Sequence, residues 1–421
     1  METGPVRQKL SRDFRIDCLR GLSILSVLVL HFQLAYNLLK SPVGRFLPGP
    51  YLSNLVWNGN YGVVVFFVIS GYLITSTSLR RFGSLGEVSV RVFYAFRFAR
   101  ILPCLLLVLT VISGLAWAGV SIFQDEGGVP LWLADLSVLT FSHNILMAKF
   151  GYFNYCLNIF WSLSVEEVFY LAFPLLCLLL RRSRWVMLVW LAAIVTGPVY
   201  RSLNSHNEIK FLYGNLACFD AISMGCWMAV LVRRVSISRN LRNVLQAAAL
   251  TAMLVVFLRA GIDSTPVWGP SWMALGAAAF LFAEGAGNVD LEHFREECRP
   301  NFVGRVAFLS RKSHSEPNFM DHSIPEIALV AGQSWLHTLA SPLAWMGKLS
   351  YELYLFHIVL LAGMRTILNP HQTPPNWNLP TLIAFMVASA MVAWAVARFY
   401  SEPLNLWLRA RIPKTAPPGA A

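Results

Sequence analysis

Residues 15–32, RIDCLRGLSILSVLVLHF, read as a helix that is apolar except along one stripe. At 100° per residue Arg20 and His31 lie about 20° apart, and Asp17 falls within about 60° of both, so the three polar side chains share a face. Such a face packs against protein or a water-filled cavity, because an ionisable group in lipid costs roughly 2.5–3.5 kcal/mol on insertion scales. With a rise of about 1.5 Å per residue, His31 sits roughly 15 Å past the Gly21 that opens the apolar run. That is near the middle of a hydrocarbon layer about 30 Å thick. A histidine at that depth has two readings: a functional base, or a neutral ring hydrogen-bonded across a helix interface.

The rest of the chain has the same character. Of 421 residues, 56% are hydrophobic and 13% charged, against about 25% charged in an ordinary soluble domain, which indicates an all-α integral membrane protein. The net charge of +12 does not point to nucleic acid, since Lys and Arg gather at the ends of apolar runs where membrane topology calls for them. Seven scattered cysteines form no CxxC or Cys/His pattern, so no metal site is expected and the thiols read as small hydrophobes.

Arg7, Lys9, Arg12, Arg15 and Arg20 precede the first apolar run, which predicts a cytoplasmic N-terminus and an uncleaved signal anchor. Ten spans follow, at about 20–38, 60–79, 101–120, 158–180, 185–200, 212–232, 243–261, 268–286, 349–367 and 380–399. The segment 131–155 is interrupted by Asp135, His143, Asn144, Lys149 and Asn154, and counting it as a span would place Arg181, Arg182 and Arg184 outside. It is therefore expected to be re-entrant or superficial. Both termini are then cytoplasmic, with a short tail at 409–421 after a membrane domain at 1–408. A polar insertion at about 288–335 has a composition that predicts partial disorder.

Seven motifs occur in order: RIDCLRGLSILSVLVLHF, GVVVFFVISGYLIT, RFARILP, FWSLSVEEVFYLAFP, CFDAISMG, MGKLSYELYLFH and FYSEPLNLWL. Together they resemble the acyltransferase 3 family, the membrane-bound O-acyltransferases that modify sugars and polysaccharides. The resemblance runs from about residue 14 to 408, apart from the insertion. It implies a bundle of about ten transmembrane helices, in a bacterial inner membrane, that transfers an acyl group, commonly acetyl from acetyl-CoA, to a hydroxyl of a carbohydrate or glycan acceptor.

Carried over by motif, the catalytic base resembles His31. The chemistry agrees, since attack of a neutral hydroxyl on a thioester needs a proton acceptor near pKa 7. Asp17 and Arg20 match the same motif, and their i, i+3 spacing permits either a buried ion pair or a direct role. Arg97 and Arg100 resemble a donor clamp, guanidinium groups being suited to the phosphates of coenzyme A, with a topological anchor as the other reading. Ser162 and Glu166 share a face of span four, and Glu166, the family's more constant carboxylate, would orient the imidazole or hold the acceptor, with a capping carboxylate at the helix start as the other reading. Glu167 points elsewhere. Tyr351, Tyr354 and His357 recur along one face of span nine as a polar lining of the substrate region. His357 reads as structural unless it shares a cavity with His31. Ser70 and Gly71 are expected to permit close helix approach, and Asp220 to find a partner inside the bundle.

Longer relatives carry a further hydrolase-like domain after the membrane part, so any second activity is expected from another protein. A multi-span transporter is the rival reading, but it predicts inverted repeats or paired broken helices, and no internal symmetry of that kind is visible.

Overall fold

A computed structural model describes residues 13–42, 49–124, 128–287 and 338–412. The insertion at 288–335, the basic residues Arg7, Lys9 and Arg12, and the tail from 413 lie outside the described residues. Regular structure among the described residues is helical throughout. The long helices are α1 (Phe14–Tyr36), α2 (Asn60–Phe82), α3 (Val90–Trp117), α4 (Trp161–Leu180), α5 (Ser183–Leu203), α6 (Asn215–Leu231), α7 (Arg239–Arg259), α8 (Trp268–Gly287), α9 (Ser350–Ile367) and α10 (Asn378–Val396). A π-helical turn, Ala397–Ser401, leads from α10 into α11 (Glu402–Ala410).

Eight stretches are long and apolar enough to cross a membrane, rather than the ten expected. The two that fall short are α8, 20 residues, and α9, 18 residues. Their polar groups are answered inside the protein. Glu284 of α8 accepts from Arg15 Nη1 at 3.0 Å, and Glu352 of α9 accepts from Ser401 Oγ at 2.6 Å. Interior partners let a helix carry carboxylates without facing lipid, and the same residues lower its hydropathy.

The segment expected to be re-entrant or superficial forms two short helices, Leu131–Leu139 and His143–Phe150. At about 1.5 Å per residue neither reaches half of the hydrocarbon thickness. Of the polar residues that interrupt its apolar pattern, His143, Asn144 and Asn154 turn into the protein, Asp135 is half-buried and Lys149 is exposed. His143 is fully buried with Nδ1 2.8 Å from Ser137 Oγ, and the Asn144 amide donates to Tyr213 O at 3.1 Å and Asn215 Oδ1 at 2.7 Å.

Helix contacts follow from small residues and internal ion pairs. A Cβ at Gly71 would overlap Ile222 O, and one at Gly225 would overlap Val68 O, so α2 and α6 cross backbone to backbone. The expectation for Gly71 holds; Ser70 instead turns its hydroxyl to Tyr170. Asp220 of α6 finds Arg201 of α5: Arg201 Nη2 donates to Asp220 Oδ2 at 2.6 Å, and both side chains are almost fully buried. Ser271 of α8 also donates to Asp220 Oδ2, at 3.1 Å, which ties three helices at one point.

Candidate active site

The polar stripe of α1 faces α9. Arg20 Nη2 donates to Ser350 Oγ at 2.8 Å at one end of the contact, and His31 meets His357 further along. The two helices therefore run in the same direction, and Tyr36 closes the contact by donating to Leu368 O at 2.8 Å. Asp17 lies 3.8 Å from Arg20 Nη1 and is buried, with its backbone pressed against Gly347. The Asp17–Arg20 spacing is thus realised as an ion pair, with Arg20 the member that reaches the interior space.

That space is a cavity of about 350 Å³, toward the lower end of the range for small-ligand pockets, about 300–1,000 Å³. Five arginines, Arg20, Arg81, Arg97, Arg100 and Arg409, contribute to its wall, with Glu166 as the carboxylate among the described residues. Such an excess of one sign in a recess with apolar walls concentrates anions.

The register of α3 against α4 explains how the deeper arginine is held. Phe93 stacks on Phe173 at 5.4 Å, Tyr94 donates to Leu171 O at 2.6 Å, and Arg97 Nη2 then meets Glu167 Oε1 at 2.9 Å. The Arg97 guanidinium also lies 3.6 Å over the Tyr170 ring. Glu167 is thereby the structural carboxylate, while Glu166, one residue earlier and about 100° around the helix, lines the cavity. Arg97 Nε is buried without an acceptor among the described residues. Arg100, one turn further along α3, lines the same wall.

Two cavity arginines were not singled out by sequence reasoning. Arg81 in the last turn of α2 and Arg409 in the last turn of α11 both face Phe96, with guanidinium carbons 3.5 and 5.5 Å from the ring centroid. Arg409 Nε is buried and has no acceptor among the described residues. The π-helical turn before α11, bonded through Ser401 to Glu352 of α9, sets the position of this helix beside the cavity. In sequence, both arginines sit in basic clusters that topology already explains.

Opposite the Arg81–Arg409 end, Ser162 and Tyr354 form the wall. The Tyr354 hydroxyl donates to Ile159 O at 2.9 Å and lies 2.6 Å from Ser162 Oγ. Behind Tyr354 stands His357, with ring centroids 5.9 Å apart, and then His31, 4.8 Å from His357. His357 is fully buried and His31 partly exposed. Neither imidazole lines the cavity itself; Tyr354 stands between. Sequence reasoning placed both histidines on inward faces, and the structure brings them together across 326 residues of chain. Among the described residues no group of three His, Cys, Asp or Glu side chains gathers at metal-binding spacing.

Residues 13–308 match the family described as an acyltransferase domain, acyltransferase 3. The chain belongs to this family. A Bacillus subtilis protein named "Putative peptidoglycan O-acetyltransferase YrhL" is 25% identical over 419 residues, covering 93% of this chain and 54% of the relative. A Staphylococcus aureus (strain COL) protein named "Putative O-acetyltransferase" is 26% identical over 221 residues, covering 47% of this chain and 31% of the relative. An uncharacterized Haemophilus influenzae protein is 27% identical over 211 residues, 46% of this chain and 84% of that protein. The chain thus spans about half of the Bacillus relative and about a third of the Staphylococcus one. No solved structure matches. Within the acyltransferase 3 family, the arginine-lined cavity and the paired histidines behind Tyr354 are this chain's candidate machinery.

Proposed function

We propose that this chain transfers an acetyl group from acetyl-CoA, or another acyl group from its CoA thioester, to a hydroxyl of a glycan, with His31 as general base. The observation that carries the reading is the alignment of one anion-attracting cavity with an imidazole pair directly behind its far wall. Coenzyme A is rich in phosphate, and Arg81, Arg97, Arg100 and Arg409 offer the bidentate donors that phosphate favours. With the arginine end at the cytoplasmic face, the donor enters from the compartment that contains it, and both chain ends lie on that side. The membrane is then the bacterial inner membrane.

The acceptor hydroxyl approaches the partly exposed His31. His31 takes its proton as the oxygen attacks the thioester carbonyl; the C–S bond breaks, and the proton leaves with the thiolate. Ser162, Tyr354 and Glu166 line the donor side of this site, so the thioester passes Tyr354 to reach the base, and Arg20 supports that wall through Ser350. The name of the Bacillus relative directs the acceptor class toward a cell-wall glycan.

The test uses the full chain purified into vesicles with acetyl-labelled acetyl-CoA and isolated glycan strands. Label appearing as an ester on the glycan is the expected result. Export of unmodified glycan across the vesicle membrane without ester formation would favour the transporter reading instead.

A further inference from the structure

The backbone around the paired histidines fixes which nitrogen of each ring carries a proton. His31 Nδ1 lies 3.0 Å from Val27 O, and His357 Nδ1 lies 3.0 Å from Leu353 O. A carbonyl oxygen only accepts, so each Nδ1 is the protonated nitrogen of its ring. A neutral imidazole then keeps its lone pair on Nε2. His357 Nε2 stands 3.2 Å from His31 Nδ1, which places an acceptor against the same N–H that Val27 O receives. The result is a one-way chain: His31 Nδ1–H donates to His357 Nε2, and His357 Nδ1–H donates to Leu353 O.

We infer that His357 is a positioning residue, which shares the Nδ1–H of His31 with Val27 O and so holds the ring in the orientation and tautomer whose Nε2 is basic. The inference rests on the reading of His31 as base. No group among the described residues bonds His31 Nε2, and His31 is partly exposed while His357 is sealed in. Nε2 is thus the nitrogen of His31 left for the acceptor's proton. When Nε2 takes the acceptor's proton, His31 becomes an imidazolium, and its bond to His357 becomes charge-assisted at the stage where charge has to be carried. A buried imidazole does here what a carboxylate does behind many catalytic histidines, without adding a negative charge to the bundle.

The inference gives His357 a different place from Ser162 and Tyr354, which line the cavity; His357 does not. His357→Leu removes the acceptor and keeps apolar bulk. It should lower kcat about 10- to 100-fold, the usual scale for losing an orienting partner, with KM for acetyl-CoA and for the glycan within about twofold. His357→Gln offers an amide oxygen to His31 Nδ1–H and should recover activity to within about fivefold of wild type. A readout independent of turnover is carbethoxylation of His31 by diethyl pyrocarbonate, followed by peptide mass spectrometry. It should be fast in the wild type and the Gln variant and slower in the Leu variant. If the Leu variant does not accumulate in the membrane, His357→Met takes its place. Equal impairment by Leu and Gln, or a loss expressed in KM alone, would overturn the inference. Full activity in His31→Gln would instead overturn the base assignment on which it stands.

Discussion

Arg97 of α3 and Glu167 of α4 form an ion pair 2.9 Å long beside the cavity, with the guanidinium lying on the Tyr170 ring. This divides two adjacent carboxylates into different tasks, one spent on holding helices together and one facing the interior space. Removing one partner of a buried pair leaves the other charge uncompensated, at a cost of about 3–5 kcal/mol. Glu167→Gln should therefore reduce the amount of folded protein, whereas Glu166→Gln should leave abundance intact and reduce acyl transfer. Membrane abundance measured beside specific activity for both variants checks this division.

A second expectation concerns the arginines that bracket Phe96. Arg81→Gln and Arg409→Gln should each weaken acetyl-CoA binding about tenfold, the equivalent of roughly one charge-assisted contact to phosphate. The paired replacement of Arg97 and Arg100 by Gln should also weaken donor binding, with a cost in stability from Glu167. Calorimetric titration of the purified variants gives the dissociation constants. Unchanged affinity in Arg81→Gln and Arg409→Gln would leave these residues as anchors of helix ends.

Asp220→Ala isolates a stabilising contact away from the cavity wall. It strands the buried Arg201 guanidinium, which is 1% exposed on its side chain, between α5 and α8. A loss of about 3–5 kcal/mol is expected. Thermal unfolding in detergent should show a lowered midpoint, and replacing both residues by apolar ones of similar size should restore most of it.

Much of this arrangement was legible in the sequence wherever helical periodicity governs. The polar stripe of α1 and the Tyr351, Tyr354, His357 face of α9 both turn inward, as a period of 3.6 residues requires, and the Asp17–Arg20 spacing permitted the ion pair that forms. What periodicity does not contain is which inward faces meet. The His31–His357 contact depends on α1 and α9 running side by side in the same direction, and nothing local to either stretch encodes that. Glu166 and Glu167 differ by one step around a helix, so their division depends on where α3 lies. Arg81 and Arg409 were hidden because a basic residue at a helix end carries the same signal whether it orients the chain or binds a ligand. The expected ten spans exceeded the eight apolar ones because α8 and α9 place carboxylates against interior partners.

The proposed orientation, with residues 181–184 and the chain ends on the cytoplasmic side, rests on where Lys and Arg gather at the ends of apolar runs. Reporter fusions at residues 85 and 182 should read cytoplasmic, and one at 372 should read external. An external reading at 182 would mean that the segment containing Leu131–Leu139 and His143–Phe150 crosses the membrane.

The most direct measurement is acyl transfer by His31→Gln at membrane abundance equal to wild type. Gln keeps hydrogen-bonding capacity at this position but cannot shuttle a proton at neutral pH, so the account predicts a fall of about 100-fold or more. Transfer at a near wild-type rate would contradict it, and the base would then have to be sought at Glu166 or His357.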